Sequence, residues 1–125
     1  MVMAQDELWM DTPEEHDYPA ALDFLSLLAS DHEAAALVEK LKHAPLSHRK
    51  AKDILRASGL RPLPKENVHV AHDLKKLHDG KKLSPVLLVR GDRASGIPLT
   101  IADGYHRICA SWHTDENALI PCRLV

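Results

Sequence analysis

The five residues Asp103-Gly104-Tyr105-His106-Arg107 are the part of this 125-residue chain best equipped for chemistry. They follow Pro98-Leu99-Thr100-Ile101-Ala102, a run of strand length, and lead into Ile108-Cys109-Ala110. A strand that ends in an Asp-Gly turn and passes at once into a helix leaves the first helical N–H groups without internal partners. With the helix dipole, those groups form a site for an anion. Gly104 lets a ligand approach the backbone with no Cβ in the way. Arg107 can bring a bidentate guanidinium to a phosphate. His106 can donate a hydrogen bond or act as an acid or base. Asp103 can cap the helix, or it can hold Mg²⁺ beside a phosphate. Each residue taken alone also has a plainer use. Asp103 is then an N-cap, Gly104 a turn residue, and Arg107 an ion-pair partner of Asp103 or Asp115.

The elements that must position this segment are read from periodicity and punctuation. Pro85-Val86-Leu87-Leu88-Val89-Arg90 is a continuous apolar run and reads as a buried strand. Residues 91–96 form a polar loop, so 98–102 reads as a second strand, antiparallel to the first. A helix is expected from Tyr105 to about His113, and Leu119 to Leu124 is a final strand. Upstream, a helix begins near Asp17, with Pro19 in its first turn. Ser30-Asp31-His32-Glu33 fits a capping box for a helix over 31–43, which Pro45 stops. Ser47 is expected to cap a third helix carrying Ala51, Ile54 and Leu55, with Gly59 as its left-handed terminator. Arg61-Pro62-Leu63-Pro64 should be extended. A short strand is expected within 63–70, followed by a helix from Val70 to Asp79. Residues 1–16 read as an acidic tail that packs weakly, with Trp9 as its one anchor.

Other groups of residues are also of types that can do chemistry. Nine histidines invite a metal, and His69-x-x-His72 places two imidazoles on one helical face. No Cys pairs at zinc spacing and no His-Glu-x-x-His accompany them, so no structural metal is expected. Cys109 and Cys122 read as small core residues. Lys75, Lys76, Lys81, Lys82, Arg90 and Arg93 form a basic stretch that is either a solvated face or a guide for a polyanion. The cluster His48, Arg49, Lys50, Lys52 and Arg56 beside Ser47 is a weak imitation of a helix-turn-helix.

Composition narrows the classes. The chain is 45% apolar and 27% charged, which reads as a globular domain and not a disordered one. No apolar run approaches ~18 residues, so no membrane partner is expected. Two cysteines and an acidic start without a signal pattern point to the cytoplasm. The net charge of −2 conceals a division: residues 1–40 carry −9 and residues 41–125 carry +7. A wholesale nucleic-acid binder is disfavoured by the total, whereas a local anion site is not.

The order strand, hairpin, strand, turn, helix over 85–110, with the box Asp103-Gly104-Tyr105-His106-Arg107-x-x-Ala110, resembles the core of the ParB/sulfiredoxin superfamily. The likeness covers roughly residues 60–125 and leaves 1–59 unexplained. It implies a small mixed sheet of the ParB/sulfiredoxin type over 60–125; with the helices read upstream, the expected fold is α+β, that sheet with an added N-terminal helical layer. It also implies that the box binds nucleotide phosphate, with Gly104, His106 and Arg107 at the phosphate. Members include CTP-binding partition proteins, ATP-dependent sulfiredoxins and free-serine kinases. The sulfiredoxin catalytic cysteine would fall at Tyr105, which cannot be a thiol nucleophile. The partition proteins' helix-turn-helix would follow the box, and only eighteen residues follow Arg107 here. Kinase members use an early carboxylate, for which Glu66 is the nearest match.

The expected organisation is an acidic tail over 1–16, a helical segment over 17–59 and a ParB/sulfiredoxin-like core over 60–125, in one compact domain. The expected function is a regulatory or binding module for a nucleotide or phosphorylated small molecule, such as ATP or CTP with Mg²⁺. The ligand would lie at Asp103, Gly104, Tyr105, His106 and Arg107. The alternative is a small-molecule phosphotransferase or nucleotide hydrolase with Glu66 and His106 as catalytic groups. A second alternative is a nucleic-acid module using the basic faces of 47–61 and 75–93. The charge division suggests that the acidic tail covers the basic core when no phosphate is bound.

Overall fold

The computed structural model describes residues 8–125. Among them are five helices and one four-stranded mixed sheet, an α+β fold. In chain order the elements are α1 (Asp17–Leu25), α2 (Asp31–His43), β1 (Leu46–Lys50), α3 (Ala51–Ser58), α4 (Val68–His78), β2 (Val86–Val89), β3 (Thr100–Asp103), α5 (Tyr105–Thr114) and β4 (Leu119–Leu124). The strand order is β1-β4-β2-β3. β2 and β3 pair antiparallel through the polar hairpin, as their spacing predicts. β4 then returns beside β2 in parallel, with α5 as the crossover.

Side-chain alternation divides the core into two layers. Val86, Leu88, Ile101, Ile120 and Cys122 face one side, where α3, α4 and α5 cover them. Leu87 and Ala102 face the other side, against Tyr18, Ala21 and Leu25 of α1 and Ala34, Val38 and Leu41 of α2. Each fully buried leucine or isoleucine contributes about 1.5–3 kcal/mol relative to exposure. The added N-terminal layer is therefore an integral wall of the sheet.

Several local expectations are corrected. Ser47 does not cap a helix: it lies in β1, where its hydroxyl meets Cys122 Sγ at 3.5 Å. α3 starts only at Ala51, with Lys50 at its cap position. The intervening strand also removes the helix-turn-helix imitation, since α2 and α3 are not consecutive. No strand forms within 63–70. Instead Asn67 caps α4, its Oδ1 accepting from His69 N at 3.0 Å and Val70 N at 3.2 Å. Ser30 accepts from Glu33 N at 3.1 Å and Gly59 ends α3 at φ +71°, both as expected.

The expectation of a weakly packed tail is corrected for its second half, while residues 1–7 lie outside the described residues. Trp9 is 4% exposed and packs in the main core. Backbone bonds from Met10 N to Leu83 O (2.8 Å) and from Leu83 N to Leu8 O (3.0 Å) hold the segment in place. Pro13 is also buried. Deleting residues 1–16 would remove core, so it cannot isolate an electrostatic role of the acidic end.

Candidate functional site

β3 ends at Asp103, and Gly104 occupies the cap position of α5 at φ +108°. Asp103 is thus not the N-cap. Among the described residues no side chain caps this helix, and its first internal backbone bond is Ile108 N to Gly104 O at 3.0 Å. The amides of Tyr105, His106 and Arg107 are left unpaired at the helix start, as the turn chemistry predicts. A Cβ on Gly104 would lie 2.4 Å from Val86 Cγ1 and 2.8 Å from Arg107 Nη2. Glycine is required here both for its backbone conformation and for its lack of a side chain.

Arg107 is held by groups from three parts of the chain. Its Nη2 donates to Asp103 Oδ2 at 2.9 Å and its Nη1 to Asp17 Oδ1 at 3.4 Å. Nη1 also donates to Ser84 Oγ. The Nε of Arg107 is buried and has no partner among the described residues. Asp17 is itself buried and accepts from Glu14 N at 2.9 Å through its second oxygen. Of the expected ion-pair partners, Asp103 is correct and Asp115 is not. Asp115 instead accepts from Asn117 N at the end of α5.

Around this arginine lies a cavity of about 260 Å³. Its walls include Asp103, Gly104, His106 and Arg107 from the box, and His69, His72, Asp73 and Lys76 from α4. Lys82, Ser84, Glu14, His16 and Asp17 complete it. The His69 and His106 rings lie 4.7 Å apart. Tyr105 does not line the cavity. Its hydroxyl donates to Arg61 O, on the side of the loop before α4. Glu66 is exposed and lies outside the cavity. Cys109 and Cys122 are fully buried, and burial pushes both thiols up, which suits core residues.

The cavity mixes charges at close quarters. Burial pushes Asp103 up to about 6, with the nearby Asp17 carboxylate adding to the rise and Arg107 opposing it. Burial also raises Asp73, again opposed by Arg107. His106 is pushed down by burial and by neighbouring His69. Because Asp103 binds its proton more tightly folded than unfolded, its contribution to stability is full below about pH 4. That contribution is lost as pH rises through about 6. The stability difference between wild type and Asp103→Asn, measured by urea melts, should therefore change across pH 4–6 and level off above it. A carboxyl titration of Asp103 by NMR with a midpoint near 4 would contradict this.

Asp17, Asp73, Ser84 and Lys76 were not among the residues expected at the site. The pattern His69-x-x-His72-Asp73-x-x-Lys76 could have pointed to α4, since i, i+3 and i+4 positions share a helical face. Nothing local marks Asp17 or Ser84. Glu14, His16 and Asp17 bring ligand-type atoms within 4.8 Å of one another, all at the entry to α1. No family model, no curated protein and no solved structure matches this chain. Among the described residues no helix is long and apolar enough to cross a membrane.

Proposed function

We propose that the cavity at the start of α5 binds the phosphates of a nucleotide, and that the chain is a binding or regulatory module of the ParB/sulfiredoxin type. The observation that carries this reading is the convergence on one cavity of Lys76, Lys82, Arg107, four histidines and the uncapped start of α5. Unpaired amides at a helix start and flanking cations are complementary to a polyanion. The strand–turn–helix order and the glycine at the tightest point fit the phosphate box that the sequence resembles.

In this reading, phosphate oxygens accept from the first amides of α5 and from His106. Lys76 and Lys82 neutralise the remaining charge. Asp103 is bonded to Arg107 through Oδ2, so a magnesium ion placed on that oxygen would compete with the guanidinium. Among the described residues the Asp73 side chain has no hydrogen-bond or ion-pair partner, and it lines the same cavity. It is therefore the carboxylate better placed to hold Mg²⁺ that arrives with the phosphates. Asp17 acts as an internal anion on Arg107, so the ligand competes with it for the guanidinium.

Calorimetry of the full chain with CTP, ATP and ADP, each with and without Mg²⁺, tests the proposal. Asp17→Asn keeps the side chain's size and one acceptor oxygen but removes its charge. It should tighten binding on the order of tenfold, or about 1.4 kcal/mol. Heat-silent titrations with all three nucleotides, on protein shown to be folded, would refute the assignment.

A further inference from the structure

We propose that this protein associates head to tail with a second copy of itself, the α1–α2 corner of one copy docking between α3 and the β2–β3 hairpin of the next. This contact does not use the phosphate cavity and does not depend on it.

The corner carries Phe24, Leu27 and Leu28, which are 43%, 81% and 62% exposed. Leucines this exposed at consecutive positions form an apolar knob, unlike the scattered single leucines of ordinary surfaces. Asp23, Asp31 and Glu33 flank it in sequence, all exposed, and none forms an ion pair among the described residues. The knob is therefore apolar at its centre and acidic at its rim.

The receiving groove has the opposite charge. Two adjoining cavities of about 170 and 480 Å³ share Ala57, Arg90 and Leu99. Ile54, Leu88 and Leu124 form the floor of the first, and Ile97, 55% exposed, lines the second. Arg49, Arg90 and Arg93 stand at the edges, exposed and with no carboxylate partner among the described residues. The groove's own carboxylate, Asp53, is taken by Arg56 at 3.2 Å. Asp92 of the hairpin is turned to its own loop, accepting from Ser95 Oγ at 2.9 Å and Ala94 N at 3.1 Å.

An acidic apolar knob and a basic apolar groove on one chain are complementary in both shape class and charge. They cannot meet within one copy, because α1 and α2 cover one face of the sheet and α3 covers the other. The contact is therefore heterologous, and a pair of copies retains one free knob on one copy and one free groove on the other. Three of the acidic residues of 1–40, Asp23, Asp31 and Glu33, lie at the knob, and three arginines of 41–125, Arg49, Arg90 and Arg93, line the groove. Opposed charges at the rim make the association faster and salt-sensitive.

Sedimentation velocity of the full chain, at low and high protein concentration and at low and high salt, tests the proposal. The average mass should rise with concentration and fall with salt. The knob variant Leu27→Ser/Leu28→Ser and the groove variant Arg90→Glu/Arg93→Glu alter exposed residues only. Each alone should weaken association at least tenfold. Mixed, they should form a 1:1 pair and nothing larger, because one intact knob meets one intact groove. A wild type that stays monomeric at every concentration overturns the proposal, as does a groove variant that associates like wild type. Retention of a single-stranded oligonucleotide by a monomeric wild type, lost in the groove variant, would also overturn it.

Discussion

Replacing Arg107 with alanine should destabilise the protein by about 3–5 kcal/mol, the usual cost of removing one partner from a buried ion pair. The side chains of Arg107 and Asp17 are 13% and 3% exposed, so water from the cavity replaces the lost contact only in part. Asp17 and Asp103 would be left as neighbouring carboxylates without their shared cation. A domain of this size is stable by roughly 5–15 kcal/mol, so the loss is a large fraction of the total. Urea melts at pH 7 measure it. Two further results distinguish this mechanism from simple loss of packing. Arg107 opposes the rise of Asp103, so its removal should push the Asp103 carboxyl above about 6. The double variant Arg107→Ala/Asp17→Asn should also be less destabilised than the sum of its single changes, since the orphaned charge is gone. A loss under about 1 kcal/mol would mean that the pair behaves as a solvated surface bridge.

Gly104→Ala should be nearly as damaging, by a different route. At φ +108° an L-residue is strained by about 1–2 kcal/mol. The added methyl also meets Val86 Cγ1 at 2.4 Å and Arg107 Nη2 at 2.8 Å. Val86 is fully buried in the sheet and Arg107 is held by its partners, so neither yields cheaply. Such overpacking adds about 1–3 kcal/mol. The combined loss is about 3 kcal/mol, roughly 10 °C in Tm for a chain of this length. Gly80→Ala is the matched control. Gly80 has φ +74° but nothing within 4 Å of an added Cβ, so only the backbone cost applies. Equal losses at the two positions would show that crowding around Gly104 contributes nothing. Nucleotide binding should weaken in Gly104→Ala and hold in Gly80→Ala, because only the former moves the start of α5.

The elements legible in the sequence are those encoded by near neighbours. α2 runs from a Ser30 cap that bonds to Glu33, three residues away, to a stop before Pro45. β2 and β4 are apolar runs bounded by turn residues, and β4 occupies 119–124 as its pattern predicts. The box at 103–107 is visible because strand, turn and helix are consecutive there, and the Asp103–Arg107 pair joins the end of β3 to the first turn of α5, four residues away.

β1 carried no such signal. Leu46-Ser47-His48-Arg49-Lys50 is polar on both faces and mostly exposed. It is a strand because β4, some seventy residues later, offers unpaired backbone groups in register from Leu46↔Arg123 to Lys50↔Leu119. The same distance hid the other half of the site. The sequence by itself determined where α5 begins and that Arg107 stands in its first turn. Only the tertiary structure decided that Asp17, ninety residues before Arg107, shares its guanidinium with Asp103, and that α4 supplies the facing wall of the cavity. Caps and periodicity act over three or four residues, whereas a buried charge takes whichever partner the packing of distant elements brings within reach.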